Sequence, residues 1–251
     1  IYQANLSQKF LIKDLRVPPI ELYRKLRDLN PSPFSAFLDT GEHQLISASP
    51  ERLFSLRKGQ LTTRPIAGTR PRGNTPEEER HYINELLASE KEQAEHLMLI
   101  DLERNDIGRV CDFGTIKVEE MMTVETYSHV HHLVSSISGR IRKDTTWLDT
   151  LSALFPGGTI TGTPKIRSME IIDALEPTQR GPYTGSIGYI SHSGEMDWNI
   201  IIRTLFHSKG EGVIQTGAGI VADSLPAREY DETLRKAEAL FRVIATGSSE
   251  K

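Results

Sequence analysis

The sequence predicts an α+β fold, on three observations. Short runs with strand character gather at residues 34–65 and again at 185–218, set apart by polar, glycine-bearing or proline-bearing loops. Helix signals stand between and after these groups rather than alternating one for one with strands. No internal repeat or low-complexity tract divides the 251 residues, a length that suits one large domain or two small ones.

Taken in order, residues 1–12 alternate enough to form a strand, and Ile20 to Leu29 form a short amphipathic helix. Asn30-Pro31-Ser32-Pro33 is a turn, because each proline fixes its own φ and denies helical geometry to its predecessor. Strands are expected at 34–39, 44–48, 52–57 and 60–65. Thr75-Pro76-Glu77-Glu78 places threonine at the N-cap, proline at the first helical position and glutamate at the third. The helix so started carries apolar positions from Tyr82 to Met98 and breaks near Ser89. The same logic starts another helix at Thr163-Pro164, after the glycine-rich segment 156–162. Three strands at 185–191, 197–206 and 212–218 read as a meander joined by hairpin loops. A helix from Ala227 to Ala245 closes the chain.

Composition narrows the function classes. A net charge of −4 gives no reason to expect nucleic acid, since no basic surface dominates the chain. No apolar run is long enough to span a bilayer, so no membrane role is expected. The single cysteine, Cys111, cannot form an internal disulfide. Ile1 opens directly into a strand-like segment without a signal peptide, so a cytoplasmic enzyme domain cut from a larger protein is the expectation.

Several residues could carry chemistry, and each has a plainer reading. Glu92 and Glu95 share a helical face, as do Glu232 and Lys236. One glutamate from each of two helices would suit a hard cation such as Mg2+, though any one of them alone reads more simply as a solvated charge. Gly157-Gly158-Thr159 lacks the lysine of a P-loop, and reads either as a turn or as backbone N–H groups facing a carboxylate. Gly217-Ala218-Gly219 allows close backbone approach to a ligand, with a bulge or bend as the simpler account. Arg203 in the apolar stretch 200–205 calls for an anionic partner, unless strand alternation turns it to solvent. His129, His131 and His132 make a weak case for zinc, with no cysteines nearby and no helical spacing. Residue types alone reach an α+β domain with candidate anion and cation sites.

Longer motifs carry further. Ser49-Pro50-Glu51, the segment 65–70 (PIAGTR), the segment 95–106 (EHLMLIDLERND), the segment 155–165 (FPGGTITGTPK) and the segment 217–224 (GAGIVADS) stand in order along the chain. In these motifs the chain resembles the catalytic part of chorismate-utilising enzymes, which include anthranilate synthase component I, aminodeoxychorismate synthase component I and the isochorismate and salicylate synthases. The resemblance covers essentially the whole chain, taken as one catalytic domain of residues 1–251, with the usual N-terminal portion of such proteins absent. It implies two packed antiparallel sheets with helices outside and a site between them. It further implies that Glu95 and Glu232 bind Mg2+ with Glu92 in support, and that Glu51 is the general acid. Tyr183, Arg203, Gly217, Gly219 and Lys236 match positions that hold the substrate carboxylates, while Thr159 and His132 match residues lining the ring.

Two positions discriminate within the resemblance. Where isochorismate and salicylate synthases carry a water-activating lysine, this chain has Gln3, and an amide has no useful basicity near neutral pH. That favours ammonia as nucleophile, supplied by a separate glutamine amidotransferase, since no Cys–His glutaminase arrangement surrounds Cys111. Residues 3–8, 33–37 and 196–200 resemble the aminodeoxychorismate synthase branch, which makes a transferase of folate biosynthesis the first expectation. Ala67 departs from that branch, which carries a lysine nucleophile there, and matches the anthranilate synthases, lyases of tryptophan biosynthesis. Either ammonia attacks C2 directly before nitrogen reaches C4, or the product is anthranilate.

Overall fold

The computed structural model describes residues 1–127 and 130–247. In chain order its elements begin with β1 (Gln3–Ile12), α1 (Pro19–Leu29), β2 (Phe34–Asp39), β3 (His43–Ser49), β4 (Arg52–Arg57), β5 (Gln60–Thr63) and β6 (Ile66–Pro71). Next come α2 (Pro76–Ala88), α3 (Glu90–Gly108), β7 (Lys117–Thr126), β8 (Val130–Arg140), α4 (Trp147–Leu154), a 3-10 turn at Gly158–Ile160, and β9 (Gly162–Thr163). The chain finishes with α5 (Lys165–Leu175), β10 (Gly188–Ile190), β11 (Met196–Asn199), β12 (Thr204–Ser208), β13 (Glu211–Ile220) and α6 (Pro226–Gly247). Two antiparallel sheets with helices make the α+β class that the sequence predicts.

The chain forms two compact units, interleaved in sequence. The first unit comprises Ile1–Glu51, Ile160–Gly188 and Asn199–Lys251. Its sheet runs β2-β3-β12-β13-β1-β9. The amphipathic helix α1 turns Leu22 and Leu26 inward, and α6 contributes Ala237, Leu240 and Val243. These meet Ile46, Ala48, Leu205 and Ile214 from the strands in one buried cluster. Burying each leucine or isoleucine is worth about 1.5–3 kcal/mol, so this face anchors both helices to the sheet.

The second unit comprises Arg52–Thr159 and Tyr189–Trp198. Its sheet runs β10-β11-β4-β5-β8-β6, with β7 also paired to β8. Residues 131–139 of β8 are all buried, because β5 and β6 pair along one edge, β7 takes the other, and α3 packs across. Thr75 caps α2 by accepting from the N–H of Glu78, and Ser89 both ends α2 and caps α3, as the sequence indicates.

Three local expectations need correction. The strand expected at 197–206 is two strands in two different sheets, β11 and β12. Between them the Ile202 N–H donates to the Ile200 carbonyl at 2.9 Å and Arg203 takes φ +48°, so the ladder is interrupted and the meander does not form. Of the loops in that stretch, only Lys209-Gly210 is a two-residue hairpin turn, both residues having positive φ. Thr163 does not cap α5: Pro164 holds the cap position without a side-chain bond, and Thr163 pairs with Gln3 in β9. The strand expected at 60–65 ends at Thr63, and β6 follows as a separate strand.

Candidate active site

In the first unit, the strand ends and loops gather most of the residues singled out from the sequence. Glu51 follows β3 and is buried; its carbonyl accepts from the Ile200 N–H at 3.0 Å, and Ser49 Oγ donates to the Ile200 carbonyl at 2.6 Å. These bonds hold Glu51 against the segment that carries Arg203. Burial lowers the pKa of the Arg203 guanidinium, and the carboxylate of Glu51 opposes that shift. Burial likewise pushes the Tyr183 hydroxyl well above its ordinary range, opposed by Arg180 and reinforced by Glu176 and Glu51. Glu51, Tyr183 and Arg203 therefore share one electrostatic neighbourhood. Arg203 is largely buried, and the charge of Glu51 is the anionic influence it feels.

Tyr183 links this group to β13. A Cβ at Gly217 would lie 2.8 Å from the Tyr183 hydroxyl oxygen and 2.5 Å from Asn5 Oδ1. Lys236 on α6 donates to the Gly217 carbonyl at 3.0 Å and pairs with Glu232 at 2.7 Å. At Gly219 a Cβ would collide with Gln3 Nε2. Both glycines keep regular register with Ser7 and Asn5 of β1, so the bulge or bend is corrected: the glycines make room for buried side chains. Gln3 is buried, and its Oε1 has no hydrogen-bond partner among the described residues.

The second unit carries the other residues singled out from the sequence. Ala67 lies on β6 opposite Leu133, just before a bulge that shifts the register by Thr69. Gly68 takes φ +69°, and a Cβ there would meet Glu92 Oε2 and Leu86 at 2.8 Å. Glu92 Oε1 accepts from Arg70 at 2.7 Å, while its Oε2 is buried without a hydrogen-bond partner among the described residues. Glu95, one turn along α3, stands 3.8 Å from Lys91. Buried His132 places Nδ1 3.0 Å from Thr69 Oγ1, with the Tyr127 ring edge-on at 5.6 Å. Thr159 is half-buried in the 3-10 turn. A Cβ at the preceding Gly158 would come within 2.5 Å of Leu102, so that glycine serves packing.

Other expectations fare differently. His131 and His132 alternate along β8, and His131 is occupied by Thr126 at 2.9 Å and Glu79 at 3.2 Å. His129 lies outside the described residues. Among the described residues no group of three or more His, Cys, Asp or Glu side chains is gathered for a metal. Cys111 is buried, and its thiol is pushed up to about 11 by burial. Among the described residues no helix is long and apolar enough to cross a membrane.

Sequence reading missed a buried clamp in the first unit. Arg180 binds Glu176 through two bonds, Nε at 2.9 Å and Nη2 at 2.7 Å, and donates to the carbonyls of Ile160 at 2.8 Å and Asn5 at 2.6 Å. Glu176 Oε1 also accepts from Ser7 N–H at 2.9 Å and Ser7 Oγ at 2.7 Å. The Arg180 guanidinium lies 5.5 Å from the Tyr183 ring centre, so the clamp ties β1 and the end of α5 to a site residue. The only sequence signal was a Glu and an Arg four apart, spaced as on a helix but interrupted by Pro177.

The two antiparallel sheets and the glycine-lined strand beside Tyr183 suit a protein of the chorismate-binding class. The sequence matches the chorismate binding enzyme family over residues 1–242, and the chain belongs to that family. It is 49% identical over 250 residues to aminodeoxychorismate synthase component 1 of Bacillus subtilis (strain 168), covering 100% of this chain and 53% of that protein. It is 53% identical over 244 residues to anthranilate synthase component 1 of Thermus thermophilus, covering 97% of this chain and 53% of that protein. Among solved structures, anthranilate synthase component I from Streptococcus pneumoniae TIGR4 superposes with a TM-score of 0.88 at 44% identity, covering 95% of this chain and 53% of that one. The chain thus spans about half the length of these relatives.

Proposed function

We propose that this chain is the catalytic domain of an aminodeoxychorismate synthase component I, aminating chorismate to 4-amino-4-deoxychorismate in cytoplasmic folate biosynthesis. The observation that carries amination is Gln3. Its buried carboxamide stands where a water-activating enzyme of the family has lysine, and an amide cannot deprotonate water near neutral pH. Ammonia needs no such base, because its lone pair is available once it is delivered unprotonated.

In this reading Glu51 donates a proton to the departing C4 hydroxyl, which leaves as water while ammonia adds at C2. Ala67 cannot form a covalent link, so ammonia attacks C2 directly; in the later rearrangement ammonia adds at C4 while the C2–N bond breaks and the C2 amine leaves as ammonia. Arg203, Tyr183, Lys236 and the backbone of Gly217 and Gly219 hold the substrate carboxylates. Burial of Tyr183 and Arg203 strengthens their hold, since polar and charge interactions grow as the local dielectric falls. His132 and Thr159 line the ring. In this reading Glu95 and Glu232 are the Mg2+ ligands with Glu92 in support, because carboxylate oxygens suit a hard cation. Bound there, Mg2+ would act as Lewis acid and template for the substrate carboxylate and leaving hydroxyl. Ammonia comes from a separate glutamine amidotransferase, because the buried, protonated Cys111 is unsuited to hydrolysing glutamine.

A second reading, anthranilate synthase component I, is favoured by Ala67 and by the comparable identity of this chain to a relative of that name. Incubation with chorismate, Mg2+ and ammonium salt separates the two. A product that an added lyase converts to 4-aminobenzoate supports the first reading. Fluorescent anthranilate with pyruvate supports the second, and isochorismate or salicylate as main product overturns both.

A further inference from the structure

One end of the seven-stranded sheet carries a groove of about 960 Å3 that the proposed reaction does not use. Its walls come from the β4–β5 turn, the start of β7, the end of β8 with the loop that follows, and β10 and β11 with their connection. It lies far from the site residues of its own unit. His132 and Arg140 are eight residues apart on β8, roughly 26 Å at a strand's rise of about 3.3 Å per residue. A ligand of the proposed site cannot also fill the groove.

The charge of the groove is opposite to that of the chain. Lys58, Lys117, Arg140, Arg142 and Lys143 line it against one acid, Glu119, in a protein of net charge −4. Glu119 already accepts from Ser138 Oγ at 2.8 Å. Lys58, Lys117, Arg140 and Lys143 make no ion pair among the described residues. Arg142 is held by the carbonyls of Cys111 and Arg109 and keeps its charge at the groove. Asp149, close by in sequence, is committed to the cap of α4, where its Oδ2 accepts from Thr146 N–H at 2.9 Å. Trp147, 49% exposed at the first position of α4, gives the groove a planar apolar wall.

Convergent cations from several segments suit an anion with more than one charge, and lysine and arginine are common phosphate binders. An indole face beside them suits a stacked planar ring. The volume falls within the range of about 300–1,000 Å3 usual for small-molecule sites. We propose that the groove binds a nucleoside di- or triphosphate, with the phosphates on the lysine and arginine side chains and the base on Trp147.

The test is calorimetric titration of the intact chain with ADP, inorganic pyrophosphate and adenosine, at low and at moderate salt. ADP is expected to bind, pyrophosphate to bind more weakly and adenosine not at all, with affinity falling as salt rises. Lys117→Glu combined with Lys143→Glu should weaken ADP at least tenfold, and both positions are exposed, so the fold should survive. Trp147→Ala should weaken ADP while leaving pyrophosphate unchanged. Absence of ADP binding at millimolar concentration overturns the proposal, as does ADP binding that the double charge reversal leaves unaltered. Loss of pyrophosphate binding in Trp147→Ala would refute the stacking role and with it the nucleoside assignment.

Discussion

At Gly217 the backbone of β13 runs beside Asn5, the Leu6 carbonyl and the Tyr183 hydroxyl, all within 2.8 Å of where a Cβ would stand. One of these atoms is backbone and cannot swing away. Gly217→Ala is therefore expected to cost about 1–3 kcal/mol by overpacking. Gly219→Ala meets the movable end of Gln3 instead and should cost less. Urea midpoints for the two variants check the order, and equal midpoints would count against it. Glu232, held by Lys236 at 2.7 Å, is one of the two carboxylates proposed for Mg2+. Glu232→Gln should largely abolish Mg2+-dependent turnover in the ammonium assay; an unchanged Mg2+ dependence would remove it from the metal set. Cys111, with its thiol pushed up to about 11 by burial, stays protonated at about pH 8. A thiol reagent should label it slowly in the native protein and fast in denaturant, and fast native labelling would contradict its burial.

At the scale of elements, the Arg180–Glu176 clamp joins α5 to β1 and reaches Tyr183. The side chains are 14% and 6% exposed, so truncating one leaves the other charged and poorly solvated. Arg180→Ala is expected to lower stability by about 3–5 kcal/mol, read from chemical denaturation. A loss no larger than that of a surface substitution would show that the clamp is dispensable. Elements with local signals were legible: Thr75 before Pro76, Ser89 at the break between helices, and Lys209-Gly210 in its hairpin. The break between β11 and β12 was not legible. Ile200, Ile201 and Ile202 continue the apolar pattern of a strand, and bonds from Ile200 to Ser49 and Glu51 and from Ile201 to Thr184 and Gly185, far away or well apart in sequence, end it. β7, β8 and α4 were likewise unread, although Thr146 and Asp149 form a capping box at the start of α4.

Over the whole molecule, the chain crosses between its two units near residues 51, 159, 188 and 198 without any linker composition to mark the crossings. Within the second unit, β10 and β11 come from a distant segment and close the sheet beside β4, where Trp198 stacks on buried Phe54 at 6.2 Å. A fragment of residues 52–159 would leave β4 as a bare edge with Phe54 partly uncovered. It is expected to be poorly soluble, and recovery of a soluble, cooperatively folding fragment would contradict this.

The α+β class, most element positions and the family could be read from the chain alone, because they rest on local patterns and on long motifs in order. The same holds for Gln3 and Ala67, whose chemistry follows from residue type. It took the folded chain to assign each strand to its sheet, to bury Arg203 within the field of Glu51, and to show Gly217 and Gly219 making room for Asn5, Tyr183 and Gln3. Those outcomes depend on contacts between residues near opposite ends of the chain, as with Gln3 and Gly219, and a pattern confined to neighbours in sequence cannot encode them.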